Sequence, residues 1–364
     1  MAEQLKNIIS NTFIGDLSKT LSSVIADFDG ETFIKMIYSS DWEKLELKER
    51  VTRISEVIEQ YLPDEFPVAV EMIKDINTHY VTNYTANFGL MALSEYIERN
   101  GSDYFDESVS ALELTTKNMS AEFYVRSFIV RYPERMMAKM LEWSCHDDPN
   151  VRRLSSEGCR PRLPWGMALK DLQKDPTPIL PILENLKNDP NESVRKSVAN
   201  NLNDISKDNP ETVVATVERW QGINDETDKI LKHACRTMLK SGDPKVMKLF
   251  GFGNVESVSI DNLSLDDLCI KIGDSTYMNF TLLIPSEEKL RLEYGIDYVK
   301  ANKKRNRKIF QIAENYYQGN KKIDFRRKLS FENMTTRKHY PGTHSISIIV
   351  NGKSVASIDF ELVD

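Results

Sequence analysis

The sequence lacks the features that mark membrane, secreted and metal-binding proteins. No stretch approaches the roughly 20 uncharged apolar residues that span a bilayer, and the segment MAEQLKNIISNTFIGDLSK has no apolar run of signal-peptide length. The four cysteines form no CxxC pair and the five histidines are dispersed, so neither a disulfide framework nor a zinc site is supported. We therefore expect a cytoplasmic protein that has no membrane segment, binds no metal and needs no cofactor.

The charge is distributed unevenly along the chain. The formal net charge is −7, but residues 1–120 hold 21 acidic and 10 basic side chains, whereas residues 300–338 hold 13 basic and 3 acidic ones. Binding follows the local potential rather than the sum, so a strongly basic segment in an acidic protein indicates an anionic partner. With 40% hydrophobic and 28% charged residues, the composition is otherwise that of a globular protein with ample material for a core.

A loose repeat runs through residues 120–250. The segment DDPNVRRLSSEGC is followed by NDPNESVRKSVANNLNDI, and Val151-Arg152 corresponds to Val194-Arg195 at a distance of 43 residues. A third segment, DKILKHACRTMLK, has the same apolar spacing. Between them lie segments entered by proline, which is favoured in the first turn of a helix: YPERMMAKMLEW, DPTPILPILENLK, NPETVVATVERW and DPKVMKLF. Helical units of about 40 residues predict HEAT-type repeats that stack into a solenoid with a concave face.

The two ends of the chain differ in pattern. Residues 1–118 have apolar residues at helical spacing, as expected for terminal repeats. After GFGN at residues 251–254, polar and apolar residues alternate, and Asn351-Gly352 predicts a hairpin turn. Short strands over about 110 residues favour an immunoglobulin-like sandwich, although the Cys…Trp…Cys pattern is absent. The predicted fold class is mainly α: a HEAT-like solenoid in residues 1–252, followed by an immunoglobulin-like β-sandwich in residues 253–364.

The most unusual stretch is VRRLSSEGCRPRLPWG, residues 151–166. A helix that starts near Asp148 presents two faces at i, i+3 and i+4 spacing. The face predicted to pack consists of Val151, Leu154, Ser155 and Gly158. The other face carries Arg153, Glu157 and Arg160. Pro161 and Pro164 end the helix, so Trp165 is predicted to lie on a loop.

Two further carboxylates are candidates for the same surface. In the next repeat Asn200 corresponds to Glu157, and Asp204 lies one helical turn further on. Adjacent repeats can therefore project two carboxylates towards one concave face. Glu122 lies on an earlier helix, four residues before Arg126, and the repeat period alone does not place it with the others.

A structural interpretation of these residues is favoured by spacing alone. Arg153–Glu157 and Glu122–Arg126 have the i,i+4 spacing of solvated surface ion pairs, which contribute about 0.3–0.5 kcal/mol. Asp204 can cap or solvate the end of a helix. A single tryptophan such as Trp165 is more often a packing residue than a catalytic one.

The segments EFYVRSFIVRYPE, DDPNVRRLSSEGCRPRLPWG and DPNESVRKSVANNLND resemble the AlkC family of bacterial DNA glycosylases, which is related to the HEAT-like AlkD glycosylases. The resemblance covers essentially the whole chain, including an immunoglobulin-like domain that AlkC members carry and AlkD proteins lack. It implies excision of the cationic bases 3-methyladenine and 3-methylcytosine from duplex DNA without base flipping. No activity on neutral damage such as uracil is expected.

By this resemblance Glu122, Glu157 and Asp204 form the acidic cluster of the active site, and Trp165 is the aromatic wall beside the deoxyribose of the lesion. A cationic base is already a good leaving group. The carboxylates are therefore expected to stabilise an oxocarbenium-like sugar and to position a water molecule. The sequence does not decide which of the three carboxylates activates the water.

Basic side chains near the acidic cluster and in the carboxyl-terminal domain are candidates for contacts with DNA phosphates. They are Arg152, Arg153, Arg160 and Arg162 around Glu157, Lys196, Lys232, His233, Arg236 and Lys240 on later repeats, and Lys303, Lys304, Arg305 and Arg307 in the immunoglobulin-like domain. Alternatively, the lysines of that domain are solvated residues that protect sheet edges from aggregation.

The expected partner is double-stranded DNA that contains alkylated bases, bound by a monomer that is associated with the bacterial nucleoid when it acts. The alternative hypothesis is a non-enzymatic HEAT-repeat scaffold that binds damaged DNA or protein. A scaffold has no need for carboxylates beside arginines on successive repeats together with a tryptophan on a loop, and this favours the glycosylase.

Overall fold

The computed structural model describes residues 5–39, 41–334 and 337–364. Residues 1–4 of the amino-terminal segment and Thr335, at the end of a predicted strand, lie outside this range. Contacts divide the chain into a helical unit, Met1–Val213 with Arg219–Ala234, and a strand unit, Val214–Glu218 with Cys235–Asp364. The domain boundary between residues 252 and 253 stays a prediction. Among the described helices, none combines the length and the apolar character that a bilayer span requires.

Within the described ranges, α-helices fill the chain up to residue 249 and strands follow. This order confirms the predicted fold class. The helices are α1 Asn11–Val24, α2 Gly30–Ile37, α3 Leu47–Glu59, α4 Phe66–Asn83, α5 Met91–Asn100, α6 Phe105–Thr116, α7 Val125–Arg131, α8 Pro133–Trp143, α9 Pro149–Glu157, α10 Lys170–Lys174, α11 Leu180–Leu186, α12 Glu192–Ile205, α13 Pro210–Trp220, α14 Asp225–Ala234, α15 Arg236–Ser241 and α16 Pro244–Leu249.

Proline and short polar side chains set the starts of the repeat helices. Asp148 accepts a hydrogen bond from the backbone N–H of Asn150 and so caps α9, and Asn191 caps α12 in the same way through Ser193. Proline at the first helical position costs no intrahelical hydrogen bond, because a backbone N–H at that position would have no acceptor within the helix. The prediction that prolines open helices is confirmed at Pro133, Pro181, Pro210 and Pro244.

A repeated arginine joins consecutive repeats. Arg152 on α9 forms a bidentate ion pair with Asp189, with N···O distances of 2.6 and 3.1 Å, and donates to the carbonyls of residues 146 and 147. Arg195 on α12 donates to the carbonyls of residues 189 and 190 and pairs with Glu226 at 2.7 Å. The correspondence of Val151-Arg152 with Val194-Arg195 is therefore a correspondence of structural role.

The third repeat segment is divided between two helices. DKILKHACRTMLK has the apolar spacing of the preceding repeats, but α14 ends at Ala234 and α15 starts at Arg236. Cys235 between them has φ −84° and ψ 5°, which lies in the bridge region rather than the helical well, and its side chain is fully buried. The helices α15 and α16 belong to the strand unit.

The strand unit contains two sheets that enclose one apolar core. The strands are β1 Ser259–Leu265, β2 Cys269–Lys271, β3 Ser275–Ile284, β4 Glu288–Val299, β5 Arg305–Tyr317, β6 Lys321–Ser330, β7 Gly342–Val350 and β8 Lys353–Val363. The described sheets have the orders β1-β3-β6 and β2-β8-β7-β4-β5, so β5 and β6 are edge strands. Residues from both sheets form the core, among them Phe280, Leu292, Ile348 and Phe360.

The predicted hairpin is confirmed between β7 and β8. Asn351 and Gly352 have φ values of 45° and 79°, and Val350 pairs with Lys353 across the turn. Both turn residues therefore occupy the left-handed region that a two-residue type I′ hairpin requires, and Asn-Gly is the pair that tolerates it best. The Asn351 side chain also accepts a hydrogen bond from the backbone N–H of Arg291, which fixes the turn against β4.

The repeated arginines Arg152 and Arg195 lead to a prediction about stability. We expect Asp189→Ala to destabilise the helical unit by roughly 2–4 kcal/mol, because it leaves the largely buried Arg152 guanidinium without its carboxylate. Glu226→Ala removes the corresponding partner of Arg195, but this carboxylate is 48% exposed, so we expect destabilisation by at most about 1 kcal/mol. Denaturant unfolding followed by circular dichroism measures both, and equal destabilisation would contradict the role given to burial.

Candidate active site

The helix α9 places the unusual stretch as predicted, with one face in the core. Val151, Leu154 and Ser155 are fully buried. Gly158 follows the helix, and a Cβ atom there would lie 2.6 Å from Cγ2 of Val125 on α7. Only glycine permits this approach, which brings the start of α7 and the preceding Glu122 next to the end of α9.

Glu157 and Asp204 are joined by one arginine. Arg160 donates from Nη1 to Oε1 of Glu157 at 2.5 Å and from Nε to Oδ2 of Asp204 at 2.9 Å. Glu157 is 4% exposed, Asp204 1% and Arg160 6%. Burial alone would lower the pKa of Arg160, but the charges of Glu157 and Asp204 raise it above its ordinary value. The three side chains therefore form a buried charged triad rather than the solvated pairs that spacing alone suggests.

Glu122 extends this triad towards solvent. Its Oε2 accepts hydrogen bonds from Nη1 of Arg153 at 2.7 Å and from Oγ of Ser120 at 2.8 Å. Nη2 of Arg153 lies 3.9 Å from Oε1 of Glu157. The structure thus places Glu122 with the other two carboxylates, although the repeat period does not. Its side chain is 16% exposed, the most of the three.

The expected pair of Glu122 with Arg126 is wrong. Arg126 is fully buried and donates to two backbone carbonyls, those of Gly158 at 2.8 Å and Met167 at 2.7 Å. Among the described residues it forms no ion pair. Burial lowers the pKa of Arg126 to about 10.

Two partners of the acidic cluster, which we define as Glu122, Glu157 and Asp204, were not predicted. Ser197 on α12 donates to Oε2 of Glu157 at 2.6 Å, and Lys207 donates to Oδ1 of Asp204 at 2.9 Å. In the repeat alignment Ser197 corresponds to Leu154, so a hydroxyl occupies a position where the preceding repeat has a core residue. A polar residue at a core position of a repeat is the signal that could have identified Ser197 from the sequence.

Trp165 lies on the segment between α9 and α10, which we call the tryptophan loop, residues 158–169. The side chain is 65% exposed, whereas Trp42, Trp143 and Trp220 are all buried. This exposure contradicts a packing role for Trp165. Its φ is 64°, a left-handed conformation that is uncommon for a bulky side chain.

The predicted phosphate-binding residues of the helical unit differ in their availability. Arg152 is paired with Asp189, and Arg160 is paired with Glu157 and Asp204. The contacts of Arg152 favour a structural role over a phosphate contact. Arg162 pairs with Asp208 at 2.7 Å and Lys196 with Glu192 at 2.7 Å, in both cases with partly or largely exposed cations. Arg153 is 28% exposed. These last three cations have the access that DNA contact requires.

In the strand unit the predicted cations lie at the start of the edge strand β5. Lys303 and Lys304 lie in the turn that precedes β5, and all four predicted side chains are exposed. Arg307 lies across Gly295 of β4, where a Cβ atom would approach its Nε to 2.7 Å. Arg236 is half-buried at the start of α15.

No group of three or more His, Cys, Asp and Glu side chains suited to a metal ion occurs in the part of the chain that the structure describes.

The chain is similar to proteins of known sequence and structure. A family model described as "DNA alkylation repair enzyme" matches residues 103–238, and one described as "Uncharacterised protein YhaZ, C-terminal Ig-like domain" matches residues 259–364. Uncharacterized protein YhaZ of Bacillus subtilis (strain 168) is 39% identical over 358 residues, which are 98% of this chain and 99% of YhaZ. The alkylpurine DNA glycosylase AlkC of Pseudomonas fluorescens, solved bound to DNA containing an abasic site analog, has a TM-score of 0.92 and 35% identity, with 100% of each chain covered.

Cys159, which is fully buried beside the acidic cluster, provides a test of this packing. Burial raises the pKa of its thiol to about 12, so almost no thiolate exists at neutral pH. We expect iodoacetamide to modify the exposed Cys145 and Cys269 of the folded protein and to leave Cys159 unmodified, as measured by peptide mass spectrometry. In guanidinium chloride Cys159 should react as fast as the others. Equal rates in the folded protein would contradict the closed packing of the cluster.

Proposed function

This chain belongs to the AlkC family of DNA glycosylases, and from that premise we propose that it hydrolyses the N-glycosidic bond of cationic N3-alkylated bases in duplex DNA. The proposed substrates are 3-methyladenine and 3-methylcytosine. The observation that carries the proposal is the alternating series Glu122–Arg153–Glu157–Arg160–Asp204, in which Arg160 lies on the same loop as the exposed Trp165.

The chemistry of a cationic lesion matches a cluster of carboxylates. The positive charge already makes the base a good leaving group, so a strong general acid is not needed. The barrier lies in the oxocarbenium-like sugar that forms while the C1′–N bond opens. Negative charge that is fixed in place before the reaction stabilises this cation without reorganisation during the reaction.

Glu157 and Asp204 have the fixed positions that this role requires. Each carboxylate has both oxygens engaged: Glu157 by Arg160 and Ser197, and Asp204 by Arg160 and Lys207. Buried ion pairs are weak evidence for stability, because well-packed apolar residues often stabilise a core equally well. A chemical role therefore explains the triad better than a structural one.

Glu122 is the carboxylate that we assign to the water nucleophile. It is the most exposed of the three, and both hydrogen bonds described for its carboxylate are accepted by Oε2. Oε1 can therefore accept a hydrogen bond from a water molecule and orient it towards C1′. In this assignment Glu157 and Asp204 stabilise the sugar cation, and Glu122 receives the proton of the attacking water. Glycoside hydrolases likewise use one carboxylate to act on water and another to act on the developing cation.

Trp165 is proposed to face the deoxyribose of the lesion. Its exposed ring presents a π face, and such a face attracts positive charge.

A glycosylase that extrudes its target base needs a pocket to hold it. Glu157 and Asp204 are instead enclosed by their own partners, with 4% and 1% exposure, which favours action on a base that stays in the stack.

The DNA contacts are proposed for solvent-accessible cations of both units. In the helical unit Arg153, Arg162 and Lys196 have the necessary exposure. In the strand unit the candidates are the half-buried Arg236 and the exposed basic side chains at the start of β5, Lys303, Lys304, Arg305 and Arg307. We propose that a monomer binds double-stranded DNA in this way without a metal ion. No observation favours the alternative of a non-enzymatic scaffold.

The central test is release of 3-methyladenine from methylated duplex DNA. We expect Glu157→Gln to lower the rate constant of base release about 100-fold, because it removes a fixed negative charge that acts on the transition state. The assay is release of radiolabelled base under single-turnover conditions. The matched control is Glu184→Gln: Glu184, like Glu157, is paired with an arginine but lies outside the acidic cluster, and we expect less than a twofold change.

The outcomes of this test separate the hypotheses. Equal release by the wild type and Glu157→Gln would remove Glu157 from the active site. No release by the wild type would favour the scaffold. Appreciable release of uracil from duplex DNA would contradict selectivity for cationic bases. Thermal unfolding of both variants verifies that they are folded.

The basic segment of the strand unit is tested by DNA binding. We expect simultaneous replacement of four cations by alanine to weaken binding and to reduce the slope of log K against log salt, by about one for each phosphate that the variant no longer neutralises. These cations are Lys303, Lys304, Arg305 and Arg307. Fluorescence anisotropy of a labelled duplex across a salt series measures the effect. Alanine at the exposed Lys19 and Lys35 is the control, and unchanged binding of the fourfold variant would assign this segment another role.

A further inference from the structure

The backbone of Trp165 requires an explanation that its side chain does not provide. A left-handed φ of 64° is unfavourable for a residue with a bulky side chain, because its Cβ atom crowds the backbone. Such a conformation persists only where neighbouring contacts enforce it. The indole is 65% exposed, so core packing does not hold it. The enforcing contacts must therefore act on the backbone of the tryptophan loop.

Lys48, at the start of α3, provides one of these contacts. Its Nζ donates to the carbonyl of Trp165 at 2.9 Å and lies 4.6 Å above the ring centre of Phe123. Phe123 directly follows Glu122 in the chain. The ammonium group of Lys48 thus connects the carbonyl of Trp165 with the segment that carries Glu122, the most exposed carboxylate of the acidic cluster. Lys48 lies 117 residues before Trp165 in the chain.

Arg126 provides the second contact from inside the protein. Its Nη1 and Nε donate to the carbonyls of Gly158 and Met167, which lie before and after the strained residue. Within the described part of the chain, Nη2 has no hydrogen-bond partner. A buried guanidinium that is satisfied only by carbonyls, without a carboxylate, is a costly device for stability alone. Its hydrogen bonds instead fix the length and direction of the tryptophan loop.

We propose that Lys48 and Arg126 are positioning residues that hold the tryptophan loop, and thereby Trp165, at the sugar of the lesion. This inference rests on the proposed function of Trp165. Arg126 fixes the two ends of the loop from the core, and Lys48 fixes the strained residue from the surface. Trp165 is thereby presented rigidly although its own side chain has little contact with the protein.

The primary test is Lys48→Met, which removes the donor and retains most of the aliphatic chain. We expect hydrogen exchange of the Gly166 and Leu169 amides in the free protein to accelerate about tenfold, since these amides close the loop by donating to Leu163 and Pro161. We expect kcat for 3-methyladenine release to fall about tenfold, because a misplaced catalytic group is no longer oriented for the reaction. Affinity for the duplex should change less than about threefold.

Two matched variants accompany this test. Lys48→Arg keeps a charged donor and should restore both exchange and kcat to near the wild-type values. Lys44→Met removes an exposed lysine four residues earlier and should leave both unchanged. Arg126→Lys retains the charge but cannot reach both carbonyls, and it should accelerate exchange in the same amides while thermal unfolding verifies that the protein is folded.

The measurement on the free protein separates this proposal from the proposed function. Unchanged exchange in Lys48→Met together with weaker DNA binding would show that Lys48 contacts DNA directly and would overturn the proposal. Faster exchange with unchanged kcat would also overturn it, because the loop would then not position a catalytic group. If the wild type releases no 3-methyladenine, the proposed function fails, and the exchange rates still decide whether Lys48 holds the loop.

Discussion

The pairing of Arg160 with Glu157 and Asp204 is the interaction on which the rest of the site depends. Two carboxylates from adjacent repeats lie almost completely inside the protein, and without a cation between them they would repel each other while deprived of hydration. Arg160 offsets part of this repulsion and ties the end of α9 to α12. The relative position of the two repeats and the position of the negative charge are therefore set by the same guanidinium.

Comparison of the repeats separates the charges that belong to the fold from those that belong to the site. Arg152 and Arg195 perform the same task in consecutive repeats, so this arrangement is part of the architecture. The series Arg153, Glu157, Arg160 is not repeated: at a distance of 43 residues the chain has Lys196, Asn200 and Asn203. A buried charge series that occurs in one repeat and not in the next is better explained by chemistry than by stacking.

Much of the fold follows from local patterns, whereas the environment of the site does not. Proline starts and the Asn351-Gly352 turn act over a few residues, and the repeat is read directly from the correspondence of Val151-Arg152 with Val194-Arg195; these predictions are confirmed. The burial of Glu157 and Asp204 could not be derived, because an i,i+3 or i,i+4 spacing is the same for a solvated pair and for a buried one. Glu122 joins the cluster through the contact that Gly158 permits with α7, a tertiary effect that repeat spacing does not encode. The functional prediction rests on the resemblance of the motif.

The tryptophan loop connects the two parts of the proposed chemistry through one short piece of backbone. Arg160, which orients the buried carboxylates, and Trp165, which faces solvent, are five residues apart, and the carbonyls on either side of this stretch are held by Arg126. A shift of the loop would therefore move the aromatic wall and the charge-orienting arginine together. Under the proposed function such a site offers a fixed field and a fixed sugar contact but no means of activating a poor leaving group. Selectivity for bases that already carry a positive charge then follows from the rigidity of the site, without a pocket that reads the base.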